Sequence, residues 1–277
     1  MSFKKYLNFP IIDLHTHLRS DIFKHTQIAK ESGIDAVVYM ANSQPPLDNL
    51  AAIKKSLQIK RETIALPVSA ITKNLVGKEL VEVDEIKDFV VGFSDDGKCL
   101  KNLEMLVQIL QKNVLVMAHL EPEPEMLKKY LKVLKNVGGK LHFQHISKKS
   151  SVDLLKKAKK QGLKFTAETC PHYFVYSRDL EDLEVNPPLG TSEDTQAIKQ
   201  GLADGVIDCI SSDYAPMPRK TGLAGFRNFV SNCFSLVLDS TLTKNQLKQK
   251  IYLNPLRILK NSAGAELQKQ IQKLEIT

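Results

Sequence analysis

Residues 11–21 read IIDLHTHLRSD: a short apolar run, two histidines at alternate positions, then an arginine and an aspartate. Alternate side chains on a β-strand share a face, so His15 and His17 point the same way. This stretch decides between two α/β architectures. A doubly wound open sheet usually carries a glycine-rich phosphate turn after its first strand, and HTHLRSD has no glycine. A (β/α)8 barrel instead brings the C-terminal ends of all its strands to one mouth, where polar groups from different strands can meet.

Working outward, short β-rich apolar runs alternate with amphipathic stretches. The candidate strands cover residues 11–15, 35–40, 63–70, 89–94, 114–119, 140–145, 164–169 and 206–213. Most are continuous apolar runs, as expected of parallel strands covered on both faces. Between them, 100–112 predicts a helix with Leu103, Leu106, Val107 and Leu110 on one face, and 150–161 one with Val152, Leu155 and Ala158. Glycine closes the helices before Gly33 and Gly162. Eight strands, each followed by a helix or long loop, in about 250 residues match a TIM-type (β/α)8 barrel. The expectation is a single barrel domain over 1–277, with no low-complexity linker.

Composition excludes several classes. No apolar run approaches the ~18 residues of a membrane span, and MSFKKYLNFP lacks the apolar stretch of a signal peptide. A cytoplasmic location is expected. Cys99, Cys170, Cys209 and Cys233 have no CxxC spacing, which argues against a disulfide framework or a cysteine-built zinc site. The formal charge of +8 is spread over lysines that flank apolar stripes and accompanies no nucleic-acid-binding motif. The same positive field would attract a small anionic substrate.

The chemistry-bearing residues fall at the strand ends. His15 and His17 close the first strand, His119 the fifth and His145 the sixth; Asp95 and Asp96 follow the fourth, and Asp213 closes the eighth. His25, His142 and His172 fall elsewhere. Singly, each has an ordinary explanation: a polar strand end, a turn, a helix cap. Jointly, at one end of one barrel, they predict a metal site. Nitrogen and oxygen donors without thiolate suit Zn²⁺, with Mn²⁺, Fe²⁺ or Co²⁺ as alternatives. Four imidazoles and two carboxylates suffice for two ions and a bridging carboxylate.

With these segments in order, the chain resembles the dihydroorotases of the amidohydrolase superfamily from about residue 11 to 260: DLHTHLR, MANSQPPLD, GFSDDGK, AHLEPE, QHIS, TAETCPHYF, NPPLGTSED, GVIDCISSDYAP and NPLRILK. The resemblance implies a (β/α)8 barrel with a binuclear zinc centre. It implies that His15 and His17 hold the more buried metal, and that His119 and His145 hold the second. Asp213 would bind metal and shuttle the proton. The bridging position, a carboxylated lysine in many relatives, matches Asp96, as in one bacterial branch; Lys98 is two residues off. Arg19, Asn42 and Asn186 match substrate contacts, Arg19 forking onto a substrate carboxylate as lysine cannot. The implied reaction interconverts N-carbamoyl-L-aspartate and dihydroorotate in pyrimidine biosynthesis: metal polarises the ring carbonyl and supplies hydroxide, and Asp213 acts as general base, then general acid.

The chain departs from that pattern in places. Tyr214 and Met217 stand where relatives carry histidines, Gly190 where they carry arginine, and no Glu-Pro-Gly follows Arg19. Losing the histidine at 217 removes a carboxylate contact worth about 1.5–3 kcal/mol. The β-sandwich that flanks the barrel in longer relatives is not expected as a separate domain. The alternatives are a related cyclic amidase acting on a hydantoin or ureide, and a non-catalytic scaffold for aspartate transcarbamoylase. A homodimer is the other expected assembly; nucleic acid and membrane are not expected partners.

Overall fold

The computed structural model describes residues 3–19, 21–216 and 225–275. Strands β1 (Ile12–Thr16), β2 (Ala36–Tyr39) and β3 (Ile64–Pro67) form one parallel sheet in that order. Strands β4 (Leu115–Ala118), β5 (Lys140–Phe143), β6 (Thr166–Thr169) and β7 (Cys209–Ile210) form a second. Two seams join the sheets into a closed ring.

At the first seam the strand expected over 89–94 does not form a regular ladder. Only Phe93 bridges, to Ser69 on one side and Val116 on the other. The backbone is nevertheless bonded both ways: Val91 N–H donates to Pro67 O at 2.9 Å, and Phe93 N–H to Leu115 O at 2.8 Å. Gly92 permits the approach, since a Cβ there would stand 3.0 Å from the Leu115 carbonyl.

The second seam is shorter than the sequence predicts over 206–213. Thr16 bridges Tyr214, and His17 N–H donates to Tyr214 O at 2.7 Å. The buried Asp13 carboxylate fills the gap, with Oδ1 accepting from Ser212 N–H at 3.0 Å and His15 N–H at 3.2 Å. Eight parallel segments thus close the predicted (β/α)8 barrel.

The strands are buried almost throughout, and helices cover the outside. Helix Lys149–Lys160 buries Val152, Leu155 and Ala158 as expected. Helix Leu103–Gln111 is rotated from the sequence reading: it buries Met105, Leu106, Ile109 and Leu110, leaving Leu103 and Val107 half-buried. Asn102 sets its start by accepting from Glu104 N–H and Met105 N–H. Gly33 and Gly162 end their helices with φ of 83° and 82°, the left-handed turn that glycine makes without strain. All four cysteines are free thiols. Among the described residues no helix is long and apolar enough to cross a membrane.

Candidate metal centre

The barrel delivers the predicted side chains to one mouth. His15 lies on β1 and His17 just past it; Asp96 follows the Phe93 segment, His119 follows β4, His145 follows β5 and Asp213 follows β7. Arg19, His145 and Asp213 hold positive φ angles of 47°, 36° and 51°. Such backbone costs about 1–3 kcal/mol per residue and concentrates at functional sites.

Asp96 is the hub. Its Oδ1 lies 2.9 Å from His119 Nε2 and 3.8 Å from His15 Nε2, and its Oδ2 lies 3.2 Å from His17 Nδ1. Asp213 Oδ1 faces the other side, 3.0 Å from His17 Nε2 and 3.5 Å from His15 Nε2. Neighbouring Asp95 points elsewhere: Ile71 N–H, Thr72 N–H and the Thr72 hydroxyl all donate to it. Lys98 is also turned away, its Nζ donating to Leu75 O at 2.9 Å.

Of these approaches, His17 Nε2 to Asp213 Oδ1 has the geometry of a hydrogen bond. His15 Nε2 and both Asp96 oxygens are buried without a hydrogen-bond partner. Buried polar atoms are almost always satisfied, so a knot of orphans marks where a ligand completes the set. The candidate donor atoms of His15, His17 and Asp213 lie within 4.8 Å of one another, and so do those of His15, Asp96 and His119. Sharing His15, the two groups fit one or two neighbouring cations held by imidazole and carboxylate. His145 stands one step back, its ring centre 4.7 Å from that of His119 and 5.5 Å from that of His15.

Electrostatics agree with a cation site. Burial opposes charge on His17, but Asp96 and Asp213 outweigh it and raise the ring to about 9. His15 is likewise held well above the usual range, burial being overcome by Asp213, Asp96 and Glu168. Burial would raise Asp96 and Asp213, yet the facing imidazoles hold both carboxyls below their ordinary value. His145 goes the other way, to about 3, through burial and the adjacent His119 and His15. Carboxylates thus dominate at the centre, and a neutral imidazole stands beside it.

Sequence reasoning missed the support behind the ligands. Glu168, on β6, takes His15 Nδ1 at 2.9 Å through Oε1, which fixes the ring and aims Nε2 at the centre. The Ser211 hydroxyl donates to Glu168 Oε2, and His142 Nε2 lies 3.1 Å from it. An acid inside the otherwise uncharged strand TAET was the available signal. His172 was also set aside, although it reaches the cavity wall.

The mouth opens into a cavity of about 660 Å³, lined by His17, Asp96, His119, His145 and Asp213 together with Arg19, Asn42 and Asn186. Asn42 Oδ1 also lies 3.2 Å from His17 Nδ1. Among the described residues Arg19 makes no ion pair. Met217 lies outside the described residues. Tyr214 stacks on Phe226 at 3.9 Å between ring centres and meets His25 Nδ1 at 2.7 Å through its hydroxyl. At Gly190 a Cβ would come within 2.5 Å of the Asp194 Cβ, so the arginine of relatives has no room.

No protein-family model matches the chain. Individual proteins do. The chain is 30% identical to the dihydroorotase of Endomicrobium trichonymphae over 90% of its own length and 72% of that protein's. It is 31% identical to the dihydroorotase of a Thermoanaerobacter species, over 95% and 74%. Among solved structures it superposes on the L-hydantoinase (dihydropyrimidinase) of Arthrobacter aurescens with a TM-score of 0.77 at 15% identity, covering 92% of this chain and 73% of that one. It also superposes on the inactive dihydroorotase-like domain of the Chaetomium thermophilum CAD-like multifunctional protein, with a TM-score of 0.72 at 17% identity over 91% and 80%.

Proposed function

The chain belongs to the dihydroorotase family, and on that premise we propose that it is a zinc-dependent cyclic amidohydrolase interconverting N-carbamoyl-L-aspartate and dihydroorotate. The observation that carries this reading is the convergence of Asp96 and Asp213 on His15, His17 and His119 in a cavity that also holds Arg19.

His15, His17, Asp96, His119, His145 and Asp213 would hold the metal. When bound, the metal supplies Lewis-acid polarisation of the ring carbonyl and an acidified water. The protein's own groups do the rest. The Asp213 carboxylate takes the proton of the attacking water and returns it to the leaving ring nitrogen. Against the opposing effect of burial, the facing His15 and His17 hold its carboxyl below the ordinary value, so it enters the reaction ionised. Glu168 keeps His15 oriented throughout. Arg19 forks onto the substrate carboxylate, and Asn42 and Asn186 offer amide groups to the ring. Every group used lies between His15 and Asp213, so the reading needs only the barrel.

The test is dihydroorotate hydrolysis by zinc-loaded protein, followed as loss of ultraviolet absorbance. Turnover that disappears on chelation and returns with zinc is expected. A fully metallated protein without turnover would redirect the reading to a hydantoin or ureide ring, or to a scaffold for aspartate transcarbamoylase. The scaffold reading is the weaker one, because it has no use for so many converging ligands.

A further inference from the structure

His172 opens the short helix Pro171–Val175 and is almost wholly buried, yet neither ring nitrogen has a hydrogen-bond partner. It lines the reaction cavity without belonging to either ligand group around His15. Two residues before it, Cys170 is a fully buried free thiol. The Cys170 sulfur, a His172 nitrogen and an Asp213 oxygen all lie within 4.8 Å of one another.

We propose that Cys170, His172 and Asp213 form a further zinc site, adjoining the catalytic centre and competing with catalysis for Asp213. The donor set is one sulfur, one nitrogen and one oxygen, with the cavity beside His172 open to a water as fourth ligand. Three protein ligands and an open position are a composition zinc accepts. The thiolate selects against magnesium and calcium, which prefer all-oxygen sites. The His15 groups contain no sulfur, so a thiolate-bound ion is spectroscopically distinct from them. Binding is an exchange at sulfur: the Cys170 S–H bond breaks, a zinc–sulfur bond forms, and the proton leaves to solvent with no change of oxidation state. The ion also explains why the buried imidazole is otherwise unpartnered.

The consequence is inhibition by excess zinc. With one Asp213 oxygen held by the catalytic centre and the other by this ion, no carboxylate oxygen is left to accept a proton, so filling the site stops turnover. That consequence rests on Asp213 as the proton acceptor proposed above; the site itself does not.

Cobalt titration of the chelator-stripped full chain reads the site without any assay of activity. The expected result is a near-ultraviolet thiolate-to-cobalt charge-transfer band, absent from Cys170→Ser, lost from His172→Gln and retained by Cys233→Ser. In the zinc-loaded enzyme, inhibition by further zinc should weaken at least tenfold in Cys170→Ser. A wild-type protein with no thiolate band, or a band that survives Cys170→Ser, overturns the proposal. If Cys170→Ser does not fold, His172→Gln decides in the same way. A protein that shows the band but never hydrolyses dihydroorotate refutes the function and leaves the site standing.

Discussion

At the end of the barrel where the strands begin, charged side chains find partners. Lys159 Nζ meets Asp208 Oδ2 at 2.8 Å, and the same oxygen accepts from Ala167 N–H at 2.9 Å. Lys4 pairs with Asp35, which also takes Ile11 N–H at 2.7 Å. Even the buried Lys250 donates to Ile207 O at 2.6 Å. At the end where the strands finish, His15, Asp96 and His172 each leave at least one buried polar atom unmatched. An unmatched buried group costs about 1–3 kcal/mol. The charges named at the first end are satisfied within the protein, whereas those at the second face one another around a candidate cation site.

The largest break in this comparison should come from Asp213→Asn. It keeps the shape and removes the proton acceptor, so kcat for dihydroorotate should fall about 10²–10⁴-fold. Arg19→Lys comes next: it keeps the charge but not the fork, and KM should rise roughly ten- to a hundredfold with kcat less affected. Steady-state kinetics across dihydroorotate concentrations separate the two.

The pH dependence of metal binding is a smaller effect with a defined sign. In the metal-free protein His17 is raised from 6.5 to about 9. The proton it holds stabilises the metal-free fold fully below about 6.5, and that contribution is lost as pH rises through about 9. Metal must displace the proton, so affinity should climb with pH, at most about tenfold per unit for the His17 proton and more steeply where His15, also raised, gives up its own. Calorimetric titration with zinc at several pH values measures the slope. The smallest effect belongs to the other end of the barrel. Lys250→Met should lower unfolding stability by about 1–2 kcal/mol, read by denaturant titration, while turnover per folded molecule stays the same.

The candidate ligands were legible because parallel strands end at one mouth and alternate positions share a face. That logic finds His15, His17, His119, His145 and Asp213 from strand ends alone. Choosing Asp96 over Asp95 needed the family resemblance, and the structure separates them by what donates to each. Arg19, Asn42 and Asn186 likewise came from resemblance, since spacing says nothing about which loops fold over a cavity. Glu168 and His172 were missed for different reasons. Glu168 sits inside a strand, where an acid looks like an irregularity, and His172 sits past a strand end, on a helical turn whose direction the sequence does not give. The Phe93 segment and the rotated face of Leu103–Gln111 were misread because tertiary contact, with β4 and with the barrel wall, overrode local pattern.

The most direct measurement is the metal content of purified Asp96→Ala and Asp95→Ala beside the wild type. Asp96→Ala should lose transition metal and dihydroorotate hydrolysis together, while Asp95→Ala loses stability and keeps its metal. Full metal occupancy in Asp96→Ala would contradict the centre described above.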